Sequence, residues 1–315
     1  MAWTLADIPD QRGRVAMVTG GNAGLGFEVA RGLAMAGAHV VIAARDRAKA
    51  EAARQQLEEM SSDASADVEP LDLASLASVE ACAAAILDRH ERVDLLVNNA
   101  GVMAIPAHRS EDGFELQLAV NHLGHFVLTA RLMPALLAAP AARVLSVTST
   151  GRHFGRPLDP GDPHLTRRYA PWRAYGNAKL AAVHFAVELH RRLIAAGAPV
   201  ASLVAHPGLS PTGLQAGSVE ATGGGVSQRF FHVLAHTTGM PPRRAALPLL
   251  RAATDPRARG GQLYTPRFVN NGAAVRRPLM GRSLQREPAR RLWDVSERET
   301  GVVFDVAALV AEHGR

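Results

Sequence analysis

The feature that most constrains the fold is a glycine-rich turn between a predicted strand and a predicted helix near the N-terminus. The strand is Arg14–Thr19, and it runs directly into Gly20-Gly-Asn-Ala-Gly24-Leu-Gly26, after which apolar residues recur at helical spacing. Glycines let the backbone approach a phosphate group, and the free N–H groups and dipole of a helix N-terminus favour negative charge. The turn therefore predicts a dinucleotide pyrophosphate site. It is not a P-loop, because no Gly-Lys-Ser or Gly-Lys-Thr follows.

Strands and helical patterns alternate along most of the chain. Further strands are predicted at Ala38–Ala43, Asp67–Leu71, Val93–Val97, Arg143–Val147, Pro199–Ala205 and near Gln262–Tyr264. The intervening helices are predicted at Arg47–Met60, Ser75–Arg89, Asp112–Leu137, Tyr175–Ala196 and Pro242–Thr254. This alternation predicts an α/β fold, a doubly wound parallel sheet (Rossmann fold) with helices on both faces.

The chain is expected to form a single domain over residues 1–315, with a core at about 14–265. The Arg-rich tail 267–315 is expected to pack as loops and one or two helices, of which Pro288–Glu299 is the clearest. We assign no chemistry to this tail from the sequence.

Two segments are expected to lie over the ligand crevice. Residues 210–239 are rich in Gly, Ser and Thr and are interpreted as a flap, with Phe230, Phe231 and Leu234 as its apolar contacts. The long loop that precedes Trp172 is a candidate substrate wall, because long loops in compact domains are commonly functional.

The end of the second predicted strand bears on the choice of dinucleotide. An NAD-binding fold places an acid about 20 residues after the glycines, on the ribose 2′-hydroxyl. Ala44 and Arg45 occupy that place here, and an arginine suits a 2′-phosphate, so NADP(H) is favoured over NAD(H). Asp46 follows and is interpreted as the N-cap of the next helix. It is also the reason to keep NAD(H) open as an alternative.

A tyrosine and a lysine are spaced by one helical turn in a chain that uses almost no lysine. Of 35 basic residues only Lys49 and Lys179 are lysines, and Tyr175 is one of three tyrosines. In Tyr175-Gly-Asn-Ala-Lys179 the spacing places both side chains on one helix face. Lysine is a compact point charge, whereas arginine is a planar fork, so the two are not interchangeable beside a phenol. The pattern indicates a functional pair, with a surface helix pair as the alternative.

Other polar residues lie where predicted strands end. Asp72 follows the third strand, Asn98-Asn-Ala-Gly101 follows the fourth, and Thr148-Ser149-Thr150 follows the fifth. Strand ends in such a sheet meet at the ligand crevice. No Gly-x-Ser-x-Gly surrounds Ser149, so a hydrolase nucleophile is not indicated. Asn121 lies near a glycine in a predicted helix interior, where both residues cost stability, and this indicates a bend or a function.

Composition excludes several other classes. His122 and His125 lack a partnered acid or cysteine, so no metal site is predicted. The single cysteine, Cys82, lies in an Ala-rich run and excludes an internal disulfide framework. The net charge is +6, but the arginines are scattered and aromatic content is 5%, which does not indicate nucleic-acid binding. No run approaches the ~20 apolar residues of a membrane span, and Met1–Asp10 has no signal core, so a cytoplasmic protein without a membrane anchor is expected.

Together these motifs resemble the short-chain dehydrogenase/reductase family over about residues 14–265. The resemblance depends on the glycine turn, Asp72, Asn98-Asn-Ala-Gly101, Asn121, Ser149, Tyr175-x-x-x-Lys179 and Pro207-Gly208. Asn121-His-Leu-Gly-His-Phe126 and the wide interval between Ser149 and Tyr175 are similar to the retinol dehydrogenase-like and protochlorophyllide reductase-like branch. Because Met1–Asp10 has no apolar signal core, we expect the chain to differ from the membrane-bound members of that branch in having no N-terminal apolar anchor.

The resemblance implies a role for each site residue. Tyr175 would be the general acid/base, and Lys179 would lower the pKa of its phenol and bind the nicotinamide ribose. Ser149 would polarise the substrate oxygen, and Asn121 would hold a water that links Lys179 to solvent. The implied cofactor contacts are Gly20, Asn22, Gly24, Leu25, Gly26, Arg45, Asp72, Leu73, Asn99, Ala100, Gly101, Tyr175, Lys179, Pro207, Gly208 and Thr212.

The expected function is therefore NADP(H)-dependent hydride transfer on the carbonyl or alcohol of a lipophilic or polycyclic small molecule. Two alternatives stay open: reduction of an activated C=C bond, and a non-catalytic NADP-binding sensor. The resemblance also suggests a homodimer paired through Asp112–Leu137 and Tyr175–Ala196.

Overall fold

The fold is built on one sheet. A computed structural model describes residues 2–211, 218, 219, 223, 225, 233, 234 and 236–313. The strands are β1 (Val15–Thr19), β2 (His39–Ala44), β3 (Ser65–Pro70), β4 (Leu95–Asn98), β5 (Arg143–Val147), β6 (Ala201–Ala205), β7 (Leu263–Pro266) and β8 (Ala274–Arg277). Their order is β3-β2-β1-β4-β5-β6-β7-β8, with β1 to β7 parallel and β8 antiparallel to β7. The predicted doubly wound α/β sheet is confirmed.

Helices cover both faces of the sheet. They are α1 (Gly24–Met35), α2 (Arg47–Met60), α3 (Leu76–Arg89), α4 (Leu116–Leu118), α5 (Gly124–Leu137), α6 (Pro171–Ala195), α7 (Pro242–Ala245), α8 (Leu247–Thr254), α9 (Arg286–Thr300) and α10 (Val306–His313). The core on one face takes apolar side chains from α1, α2 and α8. The core on the other face takes them from α3, α5, α6 and the tail helices. Near-continuous burial of β1, β2, β4 and β5 fits a parallel sheet covered on both sides.

The C-terminal tail is part of the main core. Trp293 of α9 stacks on Phe304 with ring centroids 4.9 Å apart, and Phe126 of α5 meets the Trp293 ring edge-on at 5.2 Å. All three rings are fully buried. The predicted helix at Pro288–Glu299 lies within α9, so the tail closes the face of α5 and α6 instead of lying loosely on it.

Two expectations about the elements were wrong. No strand was expected after β7, but the chain turns back at Val269, whose φ is +68°, and β8 pairs antiparallel with β7. The helix predicted from Asp112 begins only at Leu116, because Gly113 takes φ +84° in a turn that a helix cannot continue through. The Asp112 carboxylate instead accepts a hydrogen bond from the Leu76 N–H at 2.9 Å.

The topology determines where ligand-binding residues can lie. The strand order reverses between β1 and β4, which flank the switch point of the sheet. The parallel register brings the carboxyl ends of β1, β4, β5 and β6 to one edge. Ligands of such sheets bind in the crevice at that edge. Most of the predicted flap at 210–239, including Phe230 and Phe231, lies outside the described residues, so the flap stays a prediction.

Within the part of the chain that the structure describes, no helix combines the length and apolar character that a membrane crossing requires.

Candidate active site

One large cavity opens at the carboxyl edge of the strands. Its volume is about 570 Å³, which is in the usual range for small-molecule and cofactor sites. Most of the predicted site residues line it: Gly20, Asn22, Gly24, Leu25, Gly26, Arg45, Asp72, Leu73, Asn99, Ala100, Gly101, Ser149, Tyr175, Lys179, Pro207 and Gly208. Asn121 lies directly behind this wall, and Thr212 is outside the described residues. The structure thus brings together residues that are dispersed over almost 190 positions of sequence.

The glycine turn forms a cradle that has no room for side chains. A Cβ on Gly26 would lie 2.1 Å from the carbonyl oxygen of Gly20, and Gly20 itself has φ +66°. The Thr19 hydroxyl fixes the facing loop by accepting hydrogen bonds from the N–H groups of Asn99 (2.9 Å) and Ala100 (3.0 Å). Helix α1 begins at Gly24, so its free N–H groups face the cavity. This geometry fits a dinucleotide pyrophosphate.

The junction of β2 and α2 places two cations on the cavity wall, Arg45 directly after β2 and Lys49 in the first turn of α2. Arg45 and Lys49 both line it and both are exposed. Asp46 caps α2, as predicted, by accepting a hydrogen bond from the Lys49 N–H at 3.0 Å. The Asp46 carboxylate also forms an ion pair with the Lys49 ammonium at 3.0 Å. Lys49 was not predicted as a site residue, although the rarity of lysine in this chain is a signal that singles it out.

The three central polar side chains converge at the floor of the cavity. Tyr175 and Lys179 lie one turn apart on α6 and are buried, with 4% and 5% of their surfaces exposed. The Tyr175 ring and the Ser149 hydroxyl are neighbours across Gly151, where an added Cβ would lie 2.8 Å from the ring and 3.5 Å from Ser149 Oγ. The Ser149 hydroxyl accepts a hydrogen bond from the Gly151 N–H at 3.1 Å, which orients it. The Lys179 ammonium donates to the Val147 carbonyl at 3.3 Å and lies 5.9 Å from the centre of the Tyr175 ring.

Burial controls the protonation of this pair. Desolvation raises the pKa of Tyr175 to about 12, an effect that the neighbouring Ser149 side chain only partly opposes, so the phenol is protonated at neutral pH. Desolvation also lowers the pKa of Lys179 to about 8. The expectation that Lys179 lowers the Tyr175 pKa is therefore wrong for this structure. The physical reason is that burial removes the phenol from water, which disfavours the charged phenolate and raises the Tyr175 pKa.

Asn121 occupies a local widening of the helix. Residues Ala119–Leu123 form a single π-helical turn between α4 and α5, so the α-helical pattern is interrupted where a bend or a function was expected. There the Asn121 amide makes two hydrogen bonds with the Val102 backbone, accepting from its N–H at 3.1 Å and donating to its carbonyl at 3.0 Å. A Cβ on Gly101 would lie 2.3 Å from Asn121 Oδ1 and 3.3 Å from Lys179 Nζ. Gly101 therefore lies between these two side chains.

Several residues around the site carried no clear sequence signal. Trp172 lines the cavity and meets the Tyr175 ring edge-on, with centroids 6.2 Å apart. Met103 and Leu209 extend this apolar wall. Behind it, the largely buried Arg152 donates a hydrogen bond from its guanidinium to the Ser149 carbonyl at 3.2 Å, which helps to fix the backbone of the loop after β5. An arginine in a chain with 33 of them gives no pattern to detect.

The fold and this constellation define a nicotinamide-type dehydrogenase of the α/β class. A family profile described as short chain dehydrogenase matches residues 14–222, and the chain belongs to that family. Polyprenol dehydrogenase of Mus musculus is 41% identical over 301 residues, which cover 93% of this chain and 86% of that protein. Retinol dehydrogenase 13 of Homo sapiens is 42% identical over 210 residues, covering 66% of this chain and 62% of that protein. The chain is thus in the retinol dehydrogenase-like branch, and it is an oxidoreductase acting on CH–OH or C=O groups.

Solved structures agree with this assignment. The crystal structure of an uncharacterised protein from Mycobacterium paratuberculosis superposes with a TM-score of 0.79 at 37% identity, over 96% of this chain and 99% of that one. The Pseudomonas aeruginosa RhlG/NADP active-site complex superposes with a TM-score of 0.61 at 26% identity, over 80% of this chain and 94% of that one. The latter supports a nicotinamide cofactor for the fold.

Proposed function

We propose that this protein is an NADP(H)-dependent oxidoreductase of a lipophilic carbonyl or alcohol. The single observation that carries this proposal is the convergence of a buried Tyr175, the Ser149 hydroxyl and a buried Lys179 in the same cavity as the glycine cradle. A protein that only senses NADP has no need for a buried phenol beside a hydroxyl and an ammonium in that cavity. This geometry favours catalysis over the sensor alternative.

The residues of this chain would divide the chemistry between them. A bound nicotinamide would supply or accept the hydride. Ser149 would hydrogen-bond to the substrate oxygen, and the protonated Tyr175 phenol would give that oxygen its proton in the reducing direction. Lys179 would place a positive charge beside the phenol and bind ribose hydroxyls with its ammonium donors. Asn121 would fix the backbone at Val102 and support the proton path from solvent to Lys179.

The preference for NADP(H) is supported by the cations at the end of β2. Arg45 offers a planar guanidinium that suits a phosphate bidentately, and Lys49 adds a second positive charge on the same cavity wall. The Asp46 carboxylate is directed to Lys49 and the α2 N-terminus, and this use as a cap leaves it poorly placed for a ribose 2′-hydroxyl. Asp72 caps its own turn by accepting from the Ala74 N–H at 2.9 Å.

The lipophilic substrate class is supported by the walls near Tyr175. Trp172, Met103, Leu209, Phe154 and Leu234 line the cavity on that side. The relatives named for polyprenol and retinol carry names of long apolar alcohols, which agrees with such a wall. The cytoplasmic location and the homodimer stay predictions. The tail helices α9 and α10 pack against α5 and α6, the helices on which the predicted dimer would depend.

The test is an NADPH-oxidation screen against aliphatic and aromatic aldehydes, ketones, quinones and enones, with products identified by mass spectrometry. We expect reduction of C=O groups in apolar substrates, and saturation of an enone with its carbonyl intact would instead establish the C=C alternative. Tyr175→Phe should reduce turnover by at least about a thousandfold while NADPH affinity changes less than about threefold. Tyr264→Phe, on a buried tyrosine outside the cavity, is the matched control. Turnover of Tyr175→Phe near that of wild type would overturn the assignment.

A further inference from the structure

A cluster of two histidines and a carboxylate lies toward the amino ends of the strands, whereas the active-site cavity lies at their carboxyl ends. His39 begins β2, Asp67 lies in β3, and His90 caps the C-terminus of α3. In the parallel register His39 pairs with Ser65 and Val41 pairs with Asp67, so their side chains share the sheet face on which α3 packs. Three separate elements thus converge on one point, and none of these residues takes part in the proposed chemistry.

The ligand-type atoms of the cluster are close together. His39 Nε2 lies 3.2 Å from Asp67 Oδ2, and the His39 and His90 ring centroids are 5.3 Å apart. One ligand atom from each of the three residues lies within 4.8 Å of the others. Ligand atoms around a tetrahedral zinc ion are about 3.3 Å apart, so these side chains would need to move only slightly to bind the ion together.

Two further observations point to a ligand. His90 Nε2 is buried but has no hydrogen-bond partner in the part of the chain that is described, and such orphaned polar atoms are uncommon in proteins. His39 Nδ1 forms a 2.7 Å hydrogen bond with the Ser65 hydroxyl, which orients the ring so that Nε2 faces Asp67. Metal-ligating histidines commonly have their second nitrogen held in this way.

We propose that His39, Asp67 and His90 form a binding site for a divalent transition metal, with Zn²⁺ as the best match. Two imidazoles and one carboxylate are ligands that Zn²⁺ accepts, and a water would complete a tetrahedron. All three residues are partly exposed, so an ion can enter from solvent. The nearby Arg89 guanidinium is held by Glu69 and does not oppose the ion as an unpaired charge.

The role of this metal is structural. β3 is the outer strand of the sheet, with β2 as its neighbour, so a metal held by all three residues would link that edge strand to β2 and to the end of α3. Because the site is at the amino ends of the strands, its loss should leave the active-site cavity unchanged. With free zinc about 100-fold above its Kd, the thermal midpoint should rise by about 4 °C.

The test uses the full chain, stripped with a chelator and titrated with ZnCl2 by calorimetry, with bound metal counted by mass spectrometry. We expect one zinc per chain, with affinity at least about tenfold weaker in both His90→Gln and Asp67→Asn and unchanged in His108→Gln, an exposed control histidine. NADPH binding measured on each variant serves as the check that it folds. Zinc binding that is absent in wild type, or equal in all variants, would overturn the proposal.

Discussion

Replacing Lys179 with methionine should stabilise the fold while it abolishes turnover. Lys179 is almost completely buried, and within the described part of the chain its ammonium donates to one backbone acceptor, the Val147 carbonyl. Burial lowers its pKa from 10.5 to about 8, which means that the charged form is destabilised in the folded state. Methionine has a similar length, carries no charge and fills a partly irregular space well. The substitution therefore removes a cost that the wild-type fold carries for its active site.

The size of the effect follows from the pKa difference. At neutral pH the shift of Lys179 corresponds to about 3 kcal/mol, since each pKa unit represents 1.36 kcal/mol. Loss of the hydrogen bond to the Val147 carbonyl destabilises the variant by about 1 kcal/mol and so offsets part of that stabilisation. The expected net stabilisation is about 2 kcal/mol, which for a chain of 315 residues raises the thermal midpoint by about 3 °C.

The pH dependence provides a signature that simple repacking would lack. The folded-state pKa of Lys179 is below the unfolded value, so the unfolded chain binds more protons between about pH 8 and 10.5. Wild-type stability relative to the variant must therefore rise across that window. The advantage of Lys179→Met should fall from about 2 kcal/mol near pH 7 to under about 1 kcal/mol near pH 9.5.

The assay is thermal and denaturant unfolding of both proteins at the two pH values, with NADPH-dependent turnover measured in parallel. Lys49→Met is the matched control. Lys49 is the only other lysine in the sequence and its side chain is 72% exposed, so replacing it should not stabilise the fold. A well-folded Lys179→Met that melts at or below the wild-type midpoint near pH 7 would refute the reasoning. So would a stability difference that does not change with pH.

Two further substitutions test the cavity wall. Arg45→Ala should weaken NADPH binding by at least about tenfold and NADH binding by less than about threefold, measured by fluorescence titration; an equal loss for both would remove the 2′-phosphate interpretation. Gly101→Ala should reduce turnover by about a hundredfold or more, because the added Cβ would lie 2.3 Å from Asn121 Oδ1 and 3.3 Å from Lys179 Nζ. Gly161→Ala, on an exposed loop, should leave turnover unchanged, and a Gly101→Ala enzyme as active as that control would contradict the proposed spacing.

The local patterns of the sequence were sufficient to predict most of the fold. Asp46 was predicted to cap α2 and does so, because a cap depends only on residues within one helical turn. The Tyr175–Lys179 spacing places both side chains in one cavity, because a helix repeats every 3.6 residues wherever it lies. The alternation of strands and helices was sufficient for the sheet, because parallel connections follow few topologies.

What the sequence could not supply depends on distant contacts. β8 is held by pairing with β7, and its Ala-Val-Arg-Arg pattern has no strong strand signal of its own. Arg152 reaches the Ser149 carbonyl only because the loop after β5 folds back as a short 3₁₀ turn. His39, Asp67 and His90 are separated by more than 20 residues at each step, so no motif connects them. The Tyr175 pKa depends on burial, and residue spacing contains no information on burial depth.

The cost of burying Lys179 also explains why this chain, with 33 arginines, uses a lysine there. A guanidinium stays charged at any accessible pH and needs several acceptors at fixed angles. Among the described residues the Lys179 ammonium has the Val147 carbonyl as its acceptor, and Gly101 lies so close that an added Cβ would be 3.3 Å from Nζ. The buried Arg152 is accommodated outside the cavity lining, against backbone of its own turn. A small cation whose pKa can be lowered by burial is thus the basic group that this space tolerates. The destabilisation of the folded state by this buried charge is expected, because functional sites commonly reduce the stability of the fold.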